Sequence, residues 1–503
     1  MKKLLLGLTS ALILAGCQQT AAPQAATGDA GAVSALGSSV AANRNYVVVF
    51  RNEQLPAGAA ERVKAAGGKV GRQLGGAGVL IASGNAAFAA KLAKDSAVLA
   101  VGPEHLYSLP DLKTARLSAT DAQTETIGAP TKADRFYSYQ WDMRRMNGPV
   151  VWSRIPLEAQ RKVTVAVLDV GVMDTHPDLV GQVVDRVGTN YCREADVNGN
   201  ESYPVYSRLI DFTKTPDFDS SKDSCVTVPA NEVTYEDHGT HVAGTVAGKF
   251  GGGGIVGLAP GVGIAAYKVF DRYRLVGADG KVADRVGGFD GPIFAAIMDA
   301  ANKGYAVVNM SLGSALDRSN KDDNASYLAW NRVARYATKK GTLIVASAGN
   351  SAENSNGTVA HIPSDLPGVV SVSATGSNDL RIVNGQYTAQ PGSDVLAFYS
   401  NYGASTDVSA PGGDCGPGYP NTCDAPYLIL SSIIDTDGTP WYGFLAGTSM
   451  ASPHVAAVAA LVKSVHPTWT PNEIRDQLKS TAQAVGDRQK FGQGLVDADA
   501  ATR

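Results

Sequence analysis

Apolar runs that alternate with helical patterns organise the chain from about residue 140 onward. Residues 163–168 are apolar on both faces, as in a buried parallel strand, and they lead into Asp169. Two further strands are predicted at 306–310 and 342–346, each after an amphipathic helical segment. Polar or glycine-rich turns follow all three strands, and this edge of a parallel sheet is where sites are built. The pattern predicts an α/β domain over 140–503, with a mostly parallel sheet flanked by helices.

A smaller pattern precedes this domain. Residues 44–109 alternate three apolar strands with two short helical segments, which predicts a small α+β domain. Residues 18–43 consist mainly of Ala, Gln, Thr, Gly and Ser and predict a flexible tether. Residues 110–139 are largely polar and without periodicity, and they predict an exposed linker between the two domains.

The N-terminus has the features of an export signal. Lys2 and Lys3 precede an apolar run over 4–14 that is too short to span a bilayer. The run ends in Leu14-Ala15-Gly16-Cys17, which resembles the lipobox of bacterial lipoproteins. This predicts a signal peptide over 1–17 and a lipid on Cys17. The alternative is an ordinary signal peptide with an incidental cysteine.

Charge and cysteine content narrow the choice of partners and compartment. The net charge of −3 gives no electrostatic reason to expect nucleic acid as a partner. If Cys17 carries lipid, four of the five cysteines remain, which fits two disulfides in an oxidising compartment. Three pairings are possible, and proximity in sequence favours Cys192–Cys225 and Cys415–Cys423. A zinc site is the alternative, although no C-x-x-C spacing occurs.

The most informative stretch is the polar turn 447–454, which runs into an apolar segment over 455–462. Pro453 is expected in the first turn of the helix, where its missing N–H costs nothing. Ser449 is then near the helix N-terminus, among backbone N–H groups that could stabilise an oxyanion. Most serines in such a place only cap a helix, so the serine needs a base and an orienting carboxylate to be catalytic.

A second stretch, 237–244, supplies two histidines, His238 and His241, on a predicted helix. Their spacing could indicate zinc, but the glutamate of H-E-x-x-H is missing and no third ligand is evident. A helical histidine can instead act as a general base when a carboxylate holds its tautomer. Asp169, at the C-terminal end of a predicted buried strand, is the candidate for this carboxylate.

These stretches resemble the signatures of subtilisin-like serine peptidases, the subtilases, in that family's order of Asp, His and Ser. The three stretches are 168–171, 238–244 and 447–454, and the resemblance extends from about residue 140 to the C-terminus. It implies a subtilisin-like fold in which Asp169 orients, His238 is the base and Ser449 is the nucleophile. It also implies that His241 is a structural helix residue.

The resemblance assigns further residues. Asn350 corresponds to the second oxyanion donor, although a turn asparagine after a strand is the alternative. Ser311, Leu312 and Gly313 resemble the substrate-binding segment, which would pair with an extended peptide. Alignment of Pro363 with a proline near the pocket floor places His361 at the S1 pocket. Residues 44–109 resemble the family's inhibitory propeptide, with an unrelated small binding domain as the alternative, so the 110–139 linker is expected to contain the processing site.

Two departures from the family pattern bear on the site. Val170 stands where relatives usually have Ser or Thr, so one hydroxyl hydrogen bond to Asp169 is expected to be missing. Residues 251–254, all glycine, replace a loop that in many relatives carries a calcium ligand. The resemblance implies no catalytic cofactor. A structural calcium ion is a hypothesis near Asp178 or in Asp196-x-Asn198-x-Asn200, whose oxygen-rich side chains suit a hard cation.

Together these observations predict an exported serine endopeptidase that is made as a self-processing precursor and acts on proteins or peptides. Its partners would be its substrates, its own propeptide and, through Cys17, a bacterial membrane. Cutting in the linker would release the catalytic domain from the lipid anchor. The alternative function is a catalytically silent surface lipoprotein that binds peptides.

Overall fold

The computed structural model describes residues 44–109, 113–116, 134–190, 194–195, 201–202, 206–207, 209–211, 234–276 and 281–503. Several predicted features lie outside these residues: the signal peptide with the lipidation site Cys17, the tether 18–43, most of the linker 110–139, the pair Cys192–Cys225 and the oxygen-rich segment 196–200. Among the described helices, none is long and apolar enough to cross a membrane.

A central sheet forms the middle layer of the larger domain, as the apolar runs predicted. In spatial order its strands are Asp394–Leu396, Val370–Ser377, Leu343–Ser347, Val307–Met310, Thr164–Asp169, Gly263–Lys268 and Val183–Gly188, with Val408–Pro411 also paired to Val370–Ser377. All of these pairings are parallel except that of Asp394–Leu396. The predicted fold class, a mostly parallel sheet flanked by helices, is confirmed.

Two apolar clusters cover the two faces of this sheet. Val165 and Val167 face one cluster, whereas Ala166 and Leu168 face the other, as the period of two along a strand requires. The first cluster contains apolar residues of His238–Ala247, here called the histidine helix, and of Thr448–Val465, here called the serine helix. The second contains residues of helices Asp290–Asn302 and Lys321–Lys340. Both catalytic-motif helices therefore lie on the same side of the sheet.

Shorter elements complete the larger domain. The remaining α-helices are Trp141–Arg145, Gly148–Arg154, Leu157–Gln160, Pro471–Ser480, Arg488–Phe491 and Ala498–Ala501. Antiparallel pairs join Asp271–Val276 to Val282–Phe289, Ser314–Asp317 to Val359–Ile362, Leu380–Val383 to Gln386–Ala389 and Ile429–Ile434 to Pro440–Ala446. Three short strand pairs are Glu194–Ala195 with Glu201–Ser202, Tyr206–Ser207 with Thr234–Tyr235 and Leu209–Asp211 with Asp271–Val276.

The N-terminal unit, residues 44–109, is a four-stranded antiparallel sheet with two helices. Its strands lie in the order Lys69–Leu74, Val79–Gly84, Arg44–Phe50 and Val98–Pro103, and its helices are Ala59–Ala66 and Ala86–Leu92. The sequence did not predict the strand Lys69–Leu74. That strand lies at the edge of the sheet and only Leu74 in it is buried, so it lacks the apolar run by which the other strands are recognised.

The N-terminal unit docks on the larger domain through two kinds of contact. The Arg332 guanidinium, on helix Lys321–Lys340, donates to the backbone carbonyl oxygens of Asn52 at 2.8 Å and Arg51 at 3.1 Å. The strand Leu106–Ser108 then pairs antiparallel with Val282–Phe289. Farther along the chain, strand Lys113–Arg116 pairs antiparallel with Pro440–Ala446.

Candidate functional site

Asp169 and His238 form a buried hydrogen-bonded pair at the carboxyl edge of the central sheet. Asp169 ends strand Thr164–Asp169, and His238 is the first residue of the histidine helix. The His238 Nδ1 atom lies 2.9 and 2.8 Å from the two carboxylate oxygens, and both side chains are almost fully buried. The backbone N–H of Val170 also donates to Asp169, at 2.8 Å, so the carboxylate has a neighbouring donor although Val170 lacks a hydroxyl.

Gly239 lets the histidine helix approach this carboxylate. A Cβ atom at Gly239 would lie 2.2 Å from the carbonyl oxygen of Gly171 and 3.1 Å from the Cβ of Asp169. Any side chain there would therefore push the helix away from the strand. The hydroxyl of Thr240 also accepts the backbone N–H of Met173 at 3.0 Å, which ties the turn after Asp169 to the same helix.

His241 lies away from the Asp169–His238 pair. Its Nε2 atom is 2.9 Å from the carbonyl oxygen of Ile429, and burial lowers its pKa to about 3. His241 is therefore neutral and occupies a structural position. Within the described ranges, no group of three or more His, Cys, Asp or Glu side chains could hold a metal ion.

The serine helix begins earlier than the sequence predicted. It starts at Thr448, so Pro453 lies inside it and not in its first turn, and that expectation was wrong. Proline has no N–H to donate to the carbonyl four residues earlier, which is that of Ser449. The hydroxyl of Ser311 donates to this carbonyl instead, at 2.7 Å. The carbonyl oxygen that Pro453 leaves without a helical donor is thus bonded by the predicted substrate-binding segment.

The hydroxyl of Ser449 is fully buried and donates to the carbonyl oxygen of Ser311 at 3.3 Å. The Nε2 atom of His238, which would be the acceptor in a nucleophile–base pair, has no hydrogen-bond partner among the described residues. Catalytic hydrogen bonds are often long or misaligned without substrate. The Ser449 hydroxyl has one proton, so it must release the carbonyl oxygen of Ser311 before it can donate to His238.

Asn350 is held with its amide oxygen toward the serine helix. This oxygen accepts the backbone N–H of Thr448 at 2.9 Å and the Thr448 hydroxyl at 2.7 Å. The same hydroxyl accepts the backbone N–H of Gly349 at 3.1 Å. Because the N–H of Thr448 requires an acceptor, the orientation of the amide is fixed. The amide nitrogen is the end left to donate to a substrate.

Charged groups around His238 set its basicity. Burial alone would lower the pKa of His238, but the negative charges of Asp169, Asp237 and Glu236 together raise it above its usual value. Burial raises the pKa of Glu236 itself to about 7. The buried Lys268 amino group donates to the carbonyl oxygen of Val170 at 2.8 Å, next to the same carboxylate.

A second histidine–aspartate pair was not predicted from the sequence. His454, at the end of the serine motif, places Nε2 2.9 Å from Asp142 and Nδ1 2.8 Å from the carbonyl oxygen of Met450. Both side chains are fully buried, and the contact joins helix Trp141–Arg145 to the serine helix. The position of His454 inside the motif was the only signal, and its partner lies 312 residues away in sequence.

Asp178, beside which a calcium ion was a hypothesis, is bonded by the glycine-rich loop. Its carboxylate accepts the backbone N–H groups of Gly254 at 3.3 Å and Ile255 at 3.2 Å, and burial raises its pKa to about 6. Asp134 accepts the N–H of Gly251 in the same loop, at 2.9 Å. Here the glycine-rich loop directs N–H groups at both carboxylates.

Two further predicted features are the pair Cys415–Cys423 and His361. Cys415 and Cys423 are joined by a disulfide, in the loop before strand Ile429–Ile434.

The His361 ring is packed between two glycines of the site. A Cβ atom added at Gly313 would lie 2.2 Å from His361 Cε1, and one at Gly349 would lie 2.6 Å from His361 Nε2. His361 is therefore between the predicted substrate segment and Asn350.

Comparisons with known proteins identify the families that the chain resembles. A profile of the subtilase family matches residues 160–495, and one of the prokaryotic membrane lipoprotein lipid attachment site matches residues 1–18. The chain is 31% identical to subtilisin BL of Lederbergia lenta over 368 residues, which cover 73% of this chain and 99% of that protein. The structure resembles fervidolysin of Fervidobacterium pennivorans, a keratinolytic enzyme related to subtilisin, with 25% identity, a TM-score of 0.61 and coverage of 93% of this chain and 62% of that one. The epidermin leader peptide processing serine protease of Staphylococcus aureus has the same fold, with 22% identity, a TM-score of 0.62 and coverage of 92% and 98%.

The first prediction concerns the pH dependence of peptide hydrolysis. A protonated His238 cannot accept a proton, so kcat/KM should fall as pH falls through its raised pKa. Glu236 is only partly ionised near its own pKa of about 7. Glu236→Gln therefore removes part of the negative charge that raises the pKa of His238, and it should move the acid limb of the profile slightly to lower pH. The control Glu158→Gln, on an exposed carboxylate, should not move the limb. A shift to higher pH in Glu236→Gln would contradict this account of His238.

The second prediction concerns specificity at His361. His361→Gly should open the space between Gly313 and Gly349 and raise cleavage after bulky aromatic residues, by about tenfold relative to wild type. The measurement is a peptide-library cleavage profile. His466→Gly is the control, because His466 stacks on Trp469 just beyond the far end of the serine helix. Identical profiles for His361→Gly and wild type would show that His361 does not line the pocket.

Proposed function

This chain belongs to the subtilase family and is a serine endopeptidase, and we propose that Asp169, His238 and Ser449 form its catalytic triad. The observation that carries this assignment is the buried Asp169–His238 pair, whose geometry assigns Nδ1 to the carboxylate and leaves Nε2 as the proton acceptor. Ser449 lies in the first turn of the serine helix, on the same side of the sheet.

In the proposed mechanism, Ser449 Oγ attacks the scissile carbonyl carbon while His238 Nε2 takes the hydroxyl proton. The carbonyl π electrons move to the oxygen, and the tetrahedral intermediate then expels the amine, which receives the proton from His238. Water attacks the resulting ester in the same way, with His238 again as base, and restores Ser449. Asp169 holds the imidazole and stabilises its positive charge throughout.

The oxyanion would be stabilised by the side-chain N–H of Asn350 and the backbone N–H of Ser449. The two bonds from Thr448 support this role because they hold the amide oxygen of Asn350 away from the substrate. Losing one such donor costs about 3 kcal/mol of transition-state stabilisation in a subtilisin, a relative from which we carry the figure over. No catalytic cofactor is needed. A structural calcium ion at 196–200 stays a prediction outside the described residues.

We propose that the N-terminal unit is the inhibitory propeptide of the precursor. Its last strand, Leu106–Ser108, pairs as an extended peptide with Val282–Phe289. The chain is next described at Lys113, which pairs with Ala446, three residues before Ser449. The alignment with fervidolysin covers 93% of this chain, more than residues 140–503 alone could supply, and so includes much of the N-terminal unit. Strand pairing by the end of the N-terminal unit, followed by a segment paired just before Ser449, is what an inhibitory propeptide requires and what an unrelated binding domain does not.

The lipid attachment signal at residues 1–18 indicates an exported, lipid-anchored precursor. Because Cys17 and the proposed triad lie on opposite sides of the linker, a cut in the linker leaves the anchor with the N-terminal unit. A lipid holds only the chain to which it is bonded. We therefore propose that processing releases the catalytic domain from the membrane.

The third prediction tests the nucleophile. A fluorophosphonate probe should label wild type at Ser449, and Ser449→Ala should neither be labelled nor hydrolyse peptides above roughly 10⁻⁴ of the wild-type rate. Ser464→Ala is a matched control, because its hydroxyl lies on the same helix and donates to the backbone carbonyl of Leu461 at 2.7 Å. Labelling that persists in Ser449→Ala would overturn the assignment, and a fully folded wild type without labelling would favour the silent peptide-binding protein.

The fourth prediction concerns the processing bond. The sequence predicted a cut in the linker over 110–139. Four peptide steps, which together span at most about 14 Å, join Leu109 to Lys113. The strand before this connection is paired as an extended peptide, and the strand after it pairs with the residues that lead into Ser449, so we expect the cut between Leu109 and Lys113. N-terminal sequencing of the mature chain should identify this end, with the mature chain in the soluble fraction.

In the same experiment, Ser449→Ala should accumulate as a full-length chain in the membrane fraction. If Ser449→Ala is processed like wild type, another peptidase makes the cut. A mature wild-type chain that still begins at Cys17 would mean that the N-terminal unit is not a propeptide.

A further inference from the structure

A tyrosine from the N-terminal unit is inserted into a polar pocket of the catalytic domain. Tyr107, the middle residue of strand Leu106–Ser108, is fully buried, and its hydroxyl donates to Asp290 Oδ1 at 2.7 Å. The indole N–H of Trp330 lies 2.6 Å from the same hydroxyl and 3.0 Å from Asp290 Oδ1. The two rings meet edge to face, with centroids 5.4 Å apart.

The groups that recognise the phenol all belong to the catalytic domain. Asp290 begins helix Asp290–Asn302, and Ser326 and Trp330 lie one turn apart on helix Lys321–Lys340. The Ser326 hydroxyl donates to Asp290 Oδ2 at 2.6 Å. These groups remain when residues 44–109 leave. We name this set, Asp290, Ser326 and Trp330, the phenol pocket.

Departure of the N-terminal unit leaves the phenol pocket incomplete. Two donors to Asp290 come from that unit, the Tyr107 hydroxyl and the backbone N–H of His105 at 2.9 Å. A buried carboxylate that loses donors is destabilised, and burial already raises the pKa of Asp290. An extended peptide with tyrosine at the same place would restore both bonds, one from its side chain and one from its main chain.

The main chain of Tyr107 is bound as a substrate main chain would be. Tyr107 pairs with Gly288, and the next residue, Ser108, pairs with Gly287. A Cβ atom at Gly287 would lie 2.4 Å from the carbonyl oxygen of Tyr107, so glycine is what allows this close approach. The backbone N–H of Leu109 continues the pairing to Val286 at 3.0 Å. Strand addition of this kind recognises any peptide, and side-chain pockets supply the selectivity.

We propose that the phenol pocket is a substrate subsite selective for tyrosine, so that the mature enzyme prefers substrates with tyrosine opposite Gly288, on the acyl side of the cut. The proposal rests on the proposed function. A site built to bond a hydroxyl discriminates against the analogue that lacks it, because its own polar groups are left unpaired. Since Ser326 and Trp330 still donate to Asp290, we expect a Tyr/Phe ratio in kcat/KM of about 10 to 100, below the largest ratios known for such sites.

The test uses mature wild-type enzyme and peptides that differ only in Tyr, Phe or Leu at each position before the cut. Its active sites are first titrated with a fluorophosphonate, so that a failure of selectivity in labelled enzyme counts against the phenol pocket and not against the proposed function. A Tyr/Phe ratio of at least about ten at one position supports the proposal. Phe equal to or better than Tyr at every position overturns it.

A substitution at Asp290 tests whether this carboxylate causes the preference for tyrosine over phenylalanine. Asp290→Asn keeps the size of the side chain but removes its charge, so the Tyr/Phe ratio should fall several-fold. Asp299→Asn is the matched control, because Asp299 lies on the same helix and bonds to Tyr267 and not to Tyr107. An unchanged ratio in folded Asp290→Asn would overturn the role of Asp290. The comparison of peptides on wild type needs no variant, so the proposal stays testable if Asp290→Asn does not fold.

Discussion

The burial of the Asp169 carboxylate is the constraint on which the rest of the site depends. A carboxylate without solvent is costly unless donors surround it, and here His238 and the backbone of Val170 supply them. His238 can reach the carboxylate only because Gly239 has no side chain that would clash with the carbonyl oxygen of Gly171. The same pair that stabilises the buried charge also raises the pKa of His238 and fixes its tautomer. The stability of the buried Asp169 carboxylate and the basicity of His238 therefore both come from this hydrogen-bonded pair.

A second link joins the nucleophile to the predicted substrate segment. Pro453 interrupts the hydrogen bonds of the serine helix, and Ser311 donates to the carbonyl that this interruption leaves open at Ser449. Asn309 extends the link, because its side chain contacts both Ser311 and Ser452. A proline inside a helix would ordinarily be destabilising. In this position it directs a carbonyl group to a specific partner, so the strand end and the helix start are held at a defined distance.

The sequence predicted what depends on local pattern. The buried strand that ends at Asp169 could be predicted because both of its faces are apolar. The motifs around His238 and Ser449 could be recognised because each is a short continuous stretch of sequence. Contacts between distant segments could not be read in this way. The pairing of His454 with Asp142 requires the fold to bring them together. The same holds for the insertion of Tyr107 between Asp290 and Trp330, because each partner taken alone resembles an ordinary core or helix residue.

The strength of docking in the precursor comes from its buried contacts. Glu53 forms ion pairs with Arg335 and Lys339, but all three side chains are about half exposed or more, so these pairs contribute little. Arg332 and Tyr107 are buried, and their bonds are worth more because water cannot replace them. A cut after Leu109 breaks none of these bonds. In the proposed precursor, cleavage therefore removes only the covalent connection, and competition for the phenol pocket by tyrosine-containing substrates would weaken the retention of the N-terminal unit.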